Sequence, residues 1–225
     1  NTVATPEAAD LKAGALTAPS MVKGGEEFHV LFPVDNIGNL ASTGATATLF
    51  NGTTELATAN IPALQAGAYT TLDFTATLPA DAPEENSIFA VINYDADHYA
   101  DNNTSATVTV KRQIDDLEAT AITGPADADA GVEFEIEVTV TNLGNVDAEG
   151  YLVNLLRGTE VIRTATNDLP ALAPGESTTV KFTDMFTVRS ESPAVYTATV
   201  GYSFDSREDN NSTAELTVER KPFTM

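Results

Sequence analysis

The sequence contains no cysteine, no tryptophan and only two histidines among its 225 residues. Without cysteine it can form neither disulfide bridges nor thiolate metal sites, and it has no thiol nucleophile. A zinc site or a Ser-His-Asp triad would have to use His29 or His98, and neither has a second histidine at ligand spacing. No G-x-S-x-G nucleophile motif is present either. We therefore predict that this chain is not an enzyme and has no catalytic or cofactor-binding residues.

Basic residues are also scarce: the sequence has 11 lysines and arginines and 33 acidic residues. Its net charge at pH 7 is therefore −22. Such a charge repels phosphate backbones and anionic lipid surfaces, so we expect no nucleic-acid partner. No run of about 18 apolar residues occurs, so we expect no membrane insertion by this segment. The charge is typical of an exposed, soluble module, and cation binding is its alternative explanation. Paired carboxylates for glycoside hydrolysis also remain open, although a chain without tryptophan offers few platforms for stacking sugars.

An internal repeat is the strongest positive signal in the sequence. The pattern F-x-V-x-F-x-V-x-N-x-G at 28–38 returns 106 positions later at 134–144, with isoleucine and valine at two of its apolar positions. After a two-residue insertion, which we expect in a hairpin, the offset is 108, and Asp101-Asn102-Asn103 matches Asp209-Asn210-Asn211. The period has the size of a complete domain rather than of a solenoid unit.

The repeat predicts two domains, 1–112 and 113–225, with a boundary near Lys111–Asp115. The chain starts and stops close to strand-like segments, so we expect it to be a piece of a longer polypeptide.

Strands alternate apolar and polar residues, most clearly at 132–142, where Phe134, Ile136, Val138 and Val140 share one face. Turn signals recur every 8–12 residues, and no stretch has sustained helical periodicity. The predicted strands of the first copy are 10–18, 27–36, 44–50, 53–60, 69–78, 86–95 and 104–111. Those of the second copy are 116–123, 132–142, 149–156, 160–168, 176–187, 195–204 and 212–219. The fold class predicted is all-β, as two tandem seven-stranded immunoglobulin-like Greek-key sandwiches.

One residue conflicts with this pattern. Pro33 lies inside the best strand of the first copy and has no amide hydrogen to donate to a neighbouring strand. Its nitrogen must therefore face a sheet edge, a bulge or solvent.

The order of motifs resembles the cell-adhesion-related domain found in bacteria, CARDB. In the second copy these motifs are Asp116-Leu117, the strand at 134–144, the turn Leu172-Ala173-Pro174-Gly175-Glu176-Ser177, Tyr196, and Glu208-Asp209-Asn210-Asn211. The first copy diverges at Gln65-Ala66-Gly67-Ala68, Ile88 and Ala100. The resemblance covers nearly the whole chain and implies immunoglobulin-like sandwiches in an exported, multidomain bacterial protein. It supplies no catalytic residues.

An acidic, asparagine-rich turn precedes the last strand of each copy. Hard cations prefer six to eight oxygen ligands, which carboxylates and amides can supply, although the spacing does not fit an EF-hand loop. The candidate calcium ligands are Asp95, Asp97, Asp101, Asp205, Glu208 and Asp209. The alternative is a purely structural turn, because asparagine side chains bond to backbone groups in turns.

Other conspicuous residues favour structural roles. Asn36-x-Gly38 and Asn142-x-Gly144 each end a strand in a tight turn. Tyr196 is expected either to form a tyrosine-corner-like hydrogen bond or to lie in the core. Glu133, Glu135 and Glu137 form an acidic stripe, which is typical of a solvated sheet face.

These observations favour a spacer or adhesion-related segment of an exported surface protein, located outside the cell. Its partners would be other domains of the same polypeptide. The alternative is an accessory module of an exported enzyme that binds a surface protein or a glycan through its loops.

Overall fold

The computed structural model describes residues 7–222, and the chain divides into two compact units between Gln113 and Ile114. Within residues 7–222 no helix is long and apolar enough to cross a lipid bilayer. The described helical segments are two short 3-10 turns, Ala100–Asn102 and Glu208–Asn210. The expected all-β class is therefore confirmed.

The first unit is a sandwich of two sheets. Its strands are β1 (Leu11–Ala13), β2 (Met21–Val22), β3 (Glu27–Asn36), β4 (Ala45–Asn51), β5 (Thr54–Ile61), β6 (Tyr69–Thr77), β7 (Glu85–Asn93) and β8 (Val108–Arg112). One sheet has the order β1-β3-β6, and the other has the order β2-β8-β7-β4-β5.

The second unit repeats this arrangement. Its strands are β9 (Leu117–Thr123), β10 (Asp127–Ala128), β11 (Glu133–Asn142), β12 (Leu152–Arg157), β13 (Glu160–Ala165), β14 (Ser177–Met185), β15 (Ala194–Gly201) and β16 (Leu216–Arg220). The sheets are β9-β11-β14 and β10-β16-β15-β12-β13.

Each unit has its own hydrophobic core between its two sheets. On β11 the side chains of Ile136, Val138 and Val140 are completely buried, whereas the alternate residues face outward. Burying each such side chain contributes roughly 1.5–3 kcal/mol, so the period-two pattern fixes which face of the strand points inward.

The structure adds one short strand per unit to the seven expected. β2 and β10 have two residues each and pair in parallel with the last strands, β8 and β16. They are too short to show any periodicity in the sequence. The opening strand expected at 10–18 is reduced to β1 and an isolated bridge between Thr17 and Leu31.

Pro33 lies opposite the point where the pairing of the first strand is interrupted. Ala13 pairs with Val34 but Thr17 pairs with Leu31, so the register shifts by one residue and residues 14–16 bulge. The Leu31 amide donates to Thr17 O at 2.9 Å, so the nitrogen of Pro33, two residues along the strand, faces this bulge. Of the three placements expected for this nitrogen, the structure shows the bulge, and a similar register shift occurs at Thr139/Val140 in the second unit.

The expectation that the two-residue insertion lies in a hairpin is wrong. Gly52 and Gly158 occupy the same turn position with φ of 57° and 58°, so the hairpins have equal length. The additional residues follow β13, which ends at Ala165 on the edge of its sheet. A hairpin turn fixes strand register, whereas the loop that leaves an edge strand can lengthen freely.

The buried asparagine at the end of β3 and of β11 connects three segments. Asn142 Nδ2 donates to Val146 O at 2.8 Å and to Leu172 O at 2.7 Å, and its Oδ1 accepts from Gly144 N at 2.9 Å. Asn36 makes the equivalent bonds to Leu40 O, Leu64 O and Gly38 N. The expected structural role of both asparagines is confirmed.

The glycine that follows each asparagine leaves room for the start of the first strand. A Cβ atom on Gly38 would lie 2.3 Å from Ala8 O and 2.7 Å from Asp10 N. A Cβ atom on Gly144 would lie 2.3 Å from Ile114 O. Any side chain here would push the first strand away from the turn.

We predict that Gly38→Ala destabilises the first unit by about 1–3 kcal/mol, because the backbone at Ala8 must move. Gly44→Ala is the matched control, since its added Cβ would lie 3.6 Å from Ile61 O, an ordinary contact. Calorimetric melts of the full chain measure both effects. Equal melting profiles for the two variants would show that the close approach is not required.

Candidate functional site

In each unit the turn before the last strand packs against the start of the first strand. Asp97 Oδ2 accepts a hydrogen bond from Leu11 N at 3.2 Å, and its Oδ1 accepts from Tyr99 N at 3.2 Å. In the second unit Asp205 accepts equivalently from Leu117 N at 3.2 Å and from Arg207 N at 2.8 Å. These aspartates therefore tie the turn to a strand that lies almost ninety residues earlier in the chain.

Two further acids, which are not among the predicted ligands, lie in this corner, where the turn before the last strand meets the start of the first strand. Asp10 and Asp116 immediately precede the first strand of their units, and each is only 6% exposed. Asn102 Nδ2 donates to Asp10 Oδ1 at 2.9 Å, and Asn210 Nδ2 donates to Asp116 Oδ1 at 2.8 Å. The Asp-Leu dipeptide that recurs at the start of both copies was the signal that could have identified them, but only the folded structure shows that it lies beside the turn.

The six acids predicted as calcium ligands do not converge. Asp97 and Asp205 point into the corner, whereas the other four predicted ligands are exposed: Asp95, Asp101, Glu208 and Asp209. Asp209 instead pairs with Arg207 at 3.0 Å. Among the described residues no three histidine or acidic side chains lie close enough together to hold a metal ion. Any cation bound at this corner would need amide and carbonyl oxygens as ligands.

In the second unit the surroundings of Asp205 are unfavourable for its ionised form. Burial raises the pKa of Asp205 above its ordinary value, and the nearby charge of Asp116 acts in the same direction. Hydrogen bonds from Arg207 N and Leu117 N oppose this rise without cancelling it. Ionisation of Asp205 is therefore costly in this position.

The two histidines lie apart and take no part in a shared site. His29 projects from the polar side of β3, where its Nδ1 lies 2.9 Å from Asp73 Oδ1. His98 lies in the acidic turn with its ring edge-on to Tyr99, at 4.3 Å between centroids.

A buried polar network at Tyr196 was not predicted in full. Tyr196 is completely buried, and its hydroxyl donates to Asp184 Oδ2 at 2.6 Å. The Arg157 guanidinium pairs with the same carboxylate and also donates to the Tyr196 hydroxyl at 3.2 Å. The tyrosine is thus both a core residue and a hydrogen-bond donor. The first unit has Ile88 and Ala76 at the equivalent positions, so this network belongs to the second unit.

Tyr94 and Tyr202, which occupy the same position in the two units, have structural roles. Each is partly buried and packs against the core of its unit. The Tyr202 hydroxyl donates to Asp115 Oδ1 at 3.3 Å.

The acidic stripe on β11 is partly neutralised by one lysine. Lys181 Nζ lies 2.8 Å from both Glu135 and Glu137. Hydrogen bonds to these glutamates raise the pKa of Lys181, and Lys181 in turn lowers the pKa of Glu137. The stripe is a solvated sheet face, as the sequence indicated.

We predict that Tyr196→Phe destabilises the second unit by about 1–1.5 kcal/mol, because Asp184 loses a buried hydrogen bond. Tyr69→Phe, at a position 72% exposed, is the control and should change the free energy of unfolding little. Urea unfolding of the full chain, followed by tyrosine fluorescence and circular dichroism, measures both. A Tyr196→Phe variant as stable as the wild type would mean that Arg157 alone satisfies Asp184.

Comparison with solved structures finds two structures of one CARDB domain and an ectodomain fragment of another protein. The solution structure of the CARDB domain of a Pyrococcus furiosus protein is 24% identical, covers 48% of this chain and 99% of its own, and has a TM-score of 0.41. A crystal structure of the same domain, in complex with di-metal ions, is 24% identical over 48% of this chain and 96% of its own, with a TM-score of 0.40. An ICAM-5 D1–D4 fragment is 14% identical over 93% of this chain and 54% of its own, with a TM-score of 0.36.

Among curated proteins, no sequence matches this chain significantly. The CARDB family model matches residues 8–111 and again residues 114–216. These two matches span most of the chain, one in each structural unit. The chain therefore belongs to the CARDB family of non-catalytic immunoglobulin-like domains, which are often extracellular and adhesion-related, and it carries two copies in tandem.

Proposed function

We propose that this chain is a non-catalytic spacer within a larger exported bacterial surface protein, and that it lies outside the cell. The observation that supports a spacer is the connection between the units. Gln113 N donates to Val22 O at 2.7 Å within the first unit, and Ile114 N donates to Asn145 Oδ1 at 2.8 Å within the second. Two consecutive residues are thus bonded to different units, and no free linker residue remains between them.

The composition of this connection supports the same proposal. Flexible linkers are rich in glycine and serine, whereas β8 and β9 are separated only by Gln-Ile-Asp-Asp at 113–116. Ile114 O also lies against Gly144, where a Cβ atom would approach it to 2.3 Å. A short connection that is bonded on both sides suits a module that separates other domains by a fixed distance.

The proposed location and partners follow from the surface. A net charge of −22 favours solubility at an exposed site and disfavours nucleic acid and anionic lipid. We infer that the principal partners are other domains of the same polypeptide, which the spacer holds away from the cell surface.

A binding role is the second candidate, and one surface favours it. In the first unit Ile37 and Tyr99 are 55% and 59% exposed and line a shallow cavity with His98 and Asp10. An exposed apolar and aromatic surface at loop tips is suited to contact with a surface protein or a glycan. The second unit has Arg207 at the position of Tyr99, so the two loop ends present different chemistry.

Distance measurements between spin labels test the spacer. The chain has no cysteine, so Thr53→Cys and Thr159→Cys place one label in the exposed hairpin of each unit. We predict a single narrow distance distribution, because the spacer proposal requires a stiff connection and Gln113 N and Ile114 N are each hydrogen-bonded within their own unit. Insertion of a Gly-Ser segment between Gln113 and Ile114 should broaden it.

A distribution that is equally broad with and without the insertion would contradict the spacer. Binding to a glycan or protein array that is lost in Tyr99→Ala would favour the accessory binding module instead. A matched Tyr69→Ala variant, at an exposed position on a sheet strand, should retain such binding.

A further inference from the structure

Two buried amide oxygens in the acidic turn of the first unit lack a hydrogen-bond donor. Asn103 is only 6% exposed, and neither its Oδ1 nor that of Asn102 has a hydrogen-bond partner among the described residues. Buried polar atoms in folded proteins almost always have a partner, so an orphaned oxygen indicates a missing donor or cation. Both orphaned oxygens belong to the turn that precedes the last strand of the first unit.

The orientation of Asn102 is fixed by its other amide atom. Its Nδ2 donates to the carboxylate of Asp10 at 2.9 Å, so its Oδ1 must point the other way. In the second unit Asn210 Nδ2 likewise donates to Asp116 at 2.8 Å. Each buried aspartate thus draws the amide nitrogen toward itself and leaves the amide oxygen on the opposite side.

The equivalent corner of the second unit shows what the oxygens surround. The end of the Asn211 side chain lies 3.2 Å from Asp205 Oδ2, 3.2 Å from Asn210 Oδ1 and 2.6 Å from Leu117 O. All three neighbours are oxygens. With its oxygen inward, Asn211 places a fourth oxygen within 3.2 Å of these three, and such a cluster of acceptors needs a cation among them. With its nitrogen inward, it donates hydrogen bonds to the same three atoms.

We propose that each unit binds one hard divalent cation, with calcium as the best-fitting ion, at this corner. The ligands in the second unit are the Asp205 carboxylate, the amide oxygens of Asn210 and Asn211, and the Leu117 carbonyl. The repeat assigns the same roles in the first unit to Asp97, Asn102, Asn103 and the Leu11 carbonyl. Asp10 and Asp116 are positioning residues.

The charge balance agrees with a divalent ion. Each corner contains two carboxylates, those of Asp97 and Asp10 in the first unit and those of Asp205 and Asp116 in the second. Within residues 7–222 no lysine or arginine side chain forms an ion pair with any of these four. Carboxylate, amide and carbonyl oxygens are the ligands that calcium takes in proteins, and water can complete its shell. This assignment is independent of the spacer proposal.

Calorimetric titration of the full chain with calcium, at physiological ionic strength of about 0.15 M, tests the assignment. We expect saturable binding of two ions per chain. Asp97→Asn should remove the site of the first unit and Asp205→Asn that of the second, which halves the stoichiometry in each case. Magnesium should give no comparable saturation, because it requires a smaller and more rigid octahedral site.

Asp101→Asn and Asp209→Asn are the matched controls. They remove the same charge from exposed positions of the same turns and should leave both sites intact. The proposal is overturned if the wild type binds no calcium, if magnesium binds equally, or if the control variants lose binding as the site variants do.

A measurement on the wild type guards against variants that fail to fold. In nitrogen-15 spectra, calcium should shift the side-chain amide signals of Asn102, Asn103, Asn210 and Asn211, and a chelator should reverse the shifts. Unshifted signals would mean that Asn211 donates hydrogen bonds inward and that no cation is bound, which would overturn the proposal.

Discussion

The close approach of the first strand to the end of the central strand is the constraint on which each unit depends. Asn36 satisfies backbone groups from two turns, and its Oδ1 also accepts from Asp10 N at 3.3 Å. Gly38 has no side chain, so the chain at Ala8 can pass directly over it. A buried unpaired amide or carbonyl group would cost about 1–3 kcal/mol, so one asparagine that satisfies several of them stabilises the whole corner.

This constraint also positions the candidate site. Because the first strand is held against the turn at Asn36, Leu11 N reaches Asp97 and the buried Asp10 reaches Asn102. The same sequence of contacts occurs in the second unit around Asn142, Asp116 and Asp205. The acidic turn is therefore ordered by contacts with a distant strand and not only by its own hydrogen bonds.

Much of the fold could be predicted, because apolar and polar residues alternate along β3 and β11 and only one face of each strand can therefore point into the core. The corner could be predicted only in part. Asp97 and Asp205 were recognised by local acidity, but so were four exposed acids, since composition does not say which side chains point inward. The contacts of Asp10 and Asp116 with the turn, and the pairing of Tyr196 with Asp184, were not predicted, because they join residues 12 to 94 positions apart in the sequence. The two-residue insertion was assigned to the wrong loop, because the change in offset between the two copies does not show which loop contains the added residues.

Two buried asparagines of the first unit, Asn36 and Asn103, distinguish a residue that the fold requires from one that is suited to bind a ligand. Asn36 has its amide hydrogens and its oxygen fully bonded by the protein, so the fold alone accounts for it. Asn103 is buried to a similar degree, yet its oxygen has no partner among the described residues. A purely structural turn would have placed a donor opposite that oxygen or a smaller residue in its position. The contrast between two buried asparagines of the same unit is therefore the reason to look for a cation at Asn103 and not at Asn36.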